Sequence, residues 1–148
     1  MTRTKNRKTK PLMWVEDIDP YRSGLLVLIG VENKQEVFRY LKRIKALVPF
    51  SKWVLTEFDD WKETMEKNSG QFCWNDKLEG GGSGAVLMLR PYADAWNYWE
   101  ILIHELNHVV NRLGKQKGFL EEMEAQAYLQ EHLFHSIRRK LQGTDKIT

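Results

Sequence analysis

Cysteine is nearly missing from this 148-residue chain, in which Cys73 stands alone. That excludes an intrachain disulfide and a thiolate cluster, so any metal would have to be held by imidazole and carboxylate. Also missing is any apolar run near the ~18 residues that a membrane helix needs, and no apolar stretch follows the basic N-terminus as in a secretory signal. A cytoplasmic chain with no membrane partner is expected. Acidic residues are absent from 1–10, where Arg3, Lys5, Arg7, Lys8 and Lys10 stand. Without that segment the formal charge of +3 becomes −2, from 18 basic against 20 acidic residues. The segment reads as a disordered basic tail, and 11–148 as a single domain. A nucleic-acid role would rest on weak contact through this tail and on Arg138-Arg139-Lys140, since no basic patch with interleaved aromatics occurs elsewhere.

What is present is an aromatic-rich core composition, with six Trp, six Phe and five Tyr among 42% hydrophobic residues, enough for one packed globule. The chain order predicts an extended lead-in over 11–21 that turns at Asp19-Pro20, then a buried strand over 24–31. A helix capped by Asn33 follows over 33–48, closed by Pro49, with a strand over 53–58. Residues 59–70 fit no one pattern. A short strand over 71–74, a glycine-rich loop over 79–84 and a strand over 85–89 come next, and two long helices end the chain. The first runs from an Asp94 cap to Gly114, and the second spans about 119–141. These elements give an α+β fold: a small, mostly antiparallel sheet packed on two helices.

The first of these helices carries His104-Glu105-Leu106-Asn107-His108, the HExxH pattern. With four His and thirteen Glu in the chain, about 0.01 accidental matches are expected, so chance is a poor account of it. Residues four apart share a helix face, so both imidazoles can meet one ion, while Glu105 stands about 100° round, placed to hold a water and not the metal. Trp96, Trp99, Leu102, Ile103, Leu106, Val109, Val110 and Leu113 form the expected core side, with His104 and His108 nearly opposite. Spacing alone does not separate a cleft floor from a solvated helix face.

A catalytic zinc commonly takes three protein ligands. On the second helix an apolar seam is expected through Leu120, Met123, Ala127, Phe134, Ile137 and Leu141. Glu124 and Glu131 flank it, while Glu121 and Glu122 point away. Glu124 lies nearer the inter-helix loop and is the leading third ligand, ahead of Glu131, His132 and His135.

HELNH followed by a helix with Glu124-Ala125-Gln126-Ala127 resembles the gluzincin group of zinc metallopeptidases, whose pattern is HExxH and then a helix with ExxA. The resemblance covers about 85–135, and is strongest to the short stand-alone HExxH proteins of bacterial viruses. It implies a minimal zincin-like domain, with zinc on His104, His108 and Glu124, Glu105 as general base, and a peptide or protein substrate lying along the 85–89 strand. Tyr128 and Tyr92 are the candidate oxyanion donors. Tyr128 stands where many members place an Asp that orients a ligand histidine, and no second subdomain supplies a transition-state donor. The competing expectation is therefore a zinc-stabilised, weakly active or inactive domain that binds a protein partner.

Overall fold

The apolar run at 24–31 forms the middle of a sheet. In the computed structural model, which describes residues 10–18, 23–119 and 121–147, β1 (Leu12–Ile18) pairs antiparallel with β2 (Ser23–Ile29). The strands β3 (Gly70–Asn75) and β4 (Gly84–Leu89) also pair antiparallel, and β4 joins β2 in parallel. The order is β1-β2-β4-β3. Interior strands are covered on both faces, which is why β2 and β4 read as continuous apolar runs and not as alternations.

Helices α1 (Lys34–Arg43) and α2 (Val48–Asn68) cover the face that presents Leu26, Leu28, Val86 and Met88. Helices α3 (Trp96–Lys117) and α4 (Met123–Leu141) cover the other, over Trp14, Val27, Leu87 and Leu89. The protein is α+β, a four-stranded mixed sheet between two helical layers.

Several expectations change. The stretch 53–58 is helix and not strand: Val54, Phe58, Trp61 and Met65 recur at helical spacing and are buried. Six residues were too few to tell a period of 2 from one of 3.6, and α2 also takes up the unassigned stretch as far as Asn68, with Ser69 as its C-cap and Gly70 opening β3. Pro49 opens α2 instead of closing α1, in a first turn where its missing N–H costs nothing. Asn33 does cap α1, its side chain accepting from the Glu36 N–H. The break before α2 is a turn in which Lys45 takes φ 55.

On the other layer, α3 is capped at Ala95 and not Asp94, and it continues through Gly114 to Lys117. Gly118 then takes the left-handed C-cap, at φ 81. α4 begins at Met123, while Phe119 tucks into the core. The 85–89 strand, along which the resemblance would lay a substrate and which would then have to be an edge, is interior and buried throughout; β3 is the edge on that side. The basic tail, apart from Lys10, and the turn expected at Asp19-Pro20 lie outside the described residues. None of the described helices is long and apolar enough to cross a membrane.

Candidate functional site

α3 lies beside β3 with Leu102, Leu106, Val109, Val110 and Leu113 turned into the core. That orientation leaves His104 and His108 exposed on the opposite side, as their spacing requires. Two residues of the expected core side do not comply: Trp96 is 79% exposed and Ile103 is also exposed. Trp96 opens the helix, and the core beneath α3 begins with Tyr98.

The Nε2 atoms of His104 and His108 are 3.2 Å apart. Two ligands at 2.0–2.1 Å from one tetrahedral ion would stand about 3.3 Å apart, so the pair already has the spacing that one zinc imposes. Without metal, the same distance suits an N–H···N bond between the rings. Glu105 is only 7% exposed and sits on the flank toward β3. Burial raises its carboxyl above the ordinary range, while His108 and His104 pull it back down. No hydrogen-bond donor holds its carboxylate among the described residues.

The three residues open onto one cleft of about 660 Å³ between α3 and the start of β3, with Gly70, Gln71 and Phe72 on the strand side. Gly70 permits that approach. A Cβ there would stand 2.9 Å from Ile101 Cγ2 and 3.0 Å from Glu105 Cγ, so the strand can lie against the helix beside Glu105 only because residue 70 has no side chain. A larger hollow of about 760 Å³ lies between α1 and α2, but no acid, histidine or cysteine lines it. The groups able to do chemistry converge on the smaller cleft.

The other site candidates are not brought there. Glu124 is exposed in the first turn of α4 and does not line the cleft. The buried seam of α4 runs through Leu129, Leu133, Ser136 and Ile137, whereas Met123 is 82% exposed and Ala127 is exposed too. Around the helix Glu124 stands about 140° from Leu129 and 180° from Leu133, so it faces outward instead of flanking the seam. Isolated apolar residues do not fix the seam: Leu133 and Ile137 are fully buried and Leu129 nearly so, while Met123, just as apolar, lies outside it. Glu131 also faces away, 3.8 Å from His135 Nε2. Among the described residues no group of three or more His, Cys, Asp or Glu is placed to hold a metal. The structure thus brings two imidazoles to a spacing that one ion could bridge, and gathers no third ligand among the described residues.

Neither candidate oxyanion donor lines the cleft. Tyr128 is 76% exposed on α4, and Tyr92 stacks on Tyr98 at 5.6 Å beside Trp99. Arg138 lies over the Trp99 ring, Arg139 pairs with Asp145 and Lys140 with Glu16, so this basic trio is engaged within the chain. What the sequence reading missed are Asn68, Gln71, Arg112 and Lys115, all lining the cleft. The helical residues had a signal: His104, His108, Asn111 and Lys115 lie on one stripe at i, i+4, i+7 and i+11. Asn68 and Gln71 had none, because their place depends on how β3 docks against α3. No protein-family model matches the chain, and neither the curated proteins nor the solved structures contain a significant match.

Proposed function

We propose that the chain is a zinc-dependent hydrolase that cleaves peptide bonds, a minimal zincin-like domain with His104 and His108 as its imidazole ligands and Glu105 as its general base. The observation that carries this reading is the pair of Nε2 atoms 3.2 Å apart with a poorly solvated, unpartnered carboxylate in the same cleft. When bound, the metal supplies a water acidified toward a pKa of about 7 and polarisation of the scissile carbonyl. Glu105 takes the proton from the attacking water and delivers it to the leaving amine, a role that suits a carboxyl whose basicity is raised by burial. The outer edge of β3 offers backbone groups to an extended peptide, which supports a peptide as the substrate and moves that role from β4. Glu124 would complete the ligand set only after the first turn of α4 rearranges; its N-cap, Glu122, makes no side-chain cap bond.

A second reading has its own support. The cleft lacks Tyr128, Tyr92 and a third ligand, which favours a metal-stabilised domain that binds a protein partner without cutting it. Zinc analysis with peptide-library cleavage separates the two. About one zinc per chain, lost in His104→Ala/His108→Ala, with cleavage lost in Glu105→Gln, supports the hydrolase. Zinc without cleavage of any library leaves the partner-binding reading. Equal zinc in wild type and the double variant removes both. Zinc loss in Glu124→Ala as severe as in a histidine variant identifies the third ligand.

A further inference from the structure

Past the histidines the cleft changes character. Its far wall is built by Arg112 and Lys115, one and two turns beyond His108 on α3. Arg112 is fixed in place: its guanidinium lies 5.6 Å from the Trp74 ring centroid and bonds Asp76, which also accepts from the Trp74 indole. This clamp ties the end of β3 to α3 and offsets part of the Arg112 charge, but a guanidinium has five N–H donors and Asp76 engages one. Lys115 makes no ion pair or hydrogen bond with the described residues. The acidic groups nearby are Asp76, already engaged, Glu105 at the reacting end, and Glu121 and Glu122, which share a separate hollow with Lys115. Among the described residues the only carboxylate lining the cleft itself is thus Glu105, opposite two cations.

We infer that this end of the cleft is a carboxylate-binding subsite, which takes an acidic side chain or the C-terminal carboxylate of a peptide between Lys115 and Arg112. Its register relative to the cut rests on the hydrolase reading above; the binding does not. Seven helical residues separate His108 from Lys115, about 10 Å along the axis at 1.5 Å each. An extended peptide at about 3.3 Å per residue covers that in three residues. The carboxylate therefore sits about three positions from the bond held at the histidines, on the flank beside Trp74.

The test uses the zinc-loaded full chain and four sets of fluorescent peptides. One is neutral and blocked at both ends, two are blocked with Glu fixed three positions before or after the variable bond, and one ends in a free carboxylate three residues after it. Cleavage by wild type and peptide binding to Glu105→Gln, read by anisotropy, are both measured. One carboxylate-bearing set should exceed the neutral set about five- to tenfold in kcat/KM and in affinity, as a charge-assisted contact that is partly exposed would give. The advantage should reside in KM and shrink with added salt. Which set wins tells a side-chain carboxylate from a terminal one. Lys115→Glu should reverse the acidic-to-neutral ratio, whereas Lys117→Glu, outside the cleft, should not change it. Equal handling of acidic and neutral peptides, or a preference that survives Lys115→Glu, overturns the subsite. Charge-dependent binding with no cleavage keeps the subsite and sinks the hydrolase, while cleavage with no charge preference does the reverse.

Discussion

Two glutamates are the only buried acidic residues among those described, and they are buried in opposite ways. Glu16, 4% exposed on β1, is saturated: it accepts from the Trp14 indole at 2.6 Å, from the Ser136 hydroxyl, and from Lys140 Nζ at 2.9 Å. Lys140 also lies over the Trp14 ring. Strand and helix are thereby joined by a charge that has its countercharge and its donors, the condition under which a carboxylate can be kept from water. Glu105, 7% exposed on α3, accepts no hydrogen bond and pairs with no cation among the described residues; it stands between two histidines and faces a cleft. Burial alone therefore says little about a carboxylate's role. One held by donors fixes structure, whereas one that faces a cleft without them keeps lone pairs for a proton.

The sharpest break between the two is in rate. Glu105→Gln should lower turnover about 10²- to 10⁴-fold, the usual worth of a general base, while zinc content and melting temperature stay near wild type. A variant that cleaves like wild type at matched zinc would reduce Glu105 to another buried side chain. Replacing Glu16 should do the opposite. Glu16→Ala strands Lys140 and should cost about 3–5 kcal/mol in denaturant unfolding, since removing one partner of a buried pair leaves a charge without compensation. Loss under 1 kcal/mol in the same titration would mean that the network adds little to holding α4 on the sheet.

Gly70→Ala is a smaller and more local change. The new methyl must displace Ile101 Cγ2, Glu105 Cγ or Leu89 Cδ2, all at 2.9–3.0 Å, for about 1–3 kcal/mol of stability and a drop in kcat. Unchanged kcat would show that Glu105 does not need its present contact with β3. The smallest effect concerns pH. The folded carboxyl of Glu105 is raised above its ordinary 4.5, so the folded state binds more protons than the unfolded one between 4.5 and the raised value. Stability of chelator-treated protein should therefore fall slightly as pH rises through that window, then level off. Glu105→Gln should flatten this part of the curve, and an identical slope in both proteins would assign it to other groups.

The sequence alone determined the elements whose period is unambiguous. The apolar runs that became β2 and β4, the Asn33 cap, and the helix with His104 and His108 on its polar side are all properties of local spacing and of how many residues express it. For the same reason it misread 53–58, where six residues satisfy either period and only packing under α2 decides. Which strand forms the edge was not legible either, because pairing order depends on contacts between distant segments; that choice made β3, and not β4, the wall of the cleft. Tertiary structure also turned the seam of α4 toward Leu129 and Leu133, sending Glu124 outward. A ligand pair four residues apart is fixed by helix geometry, but a third ligand from another helix depends on rotation about that helix's own axis. Its apolar residues, Met123 exposed and Leu133 buried, did not encode that rotation clearly enough to read.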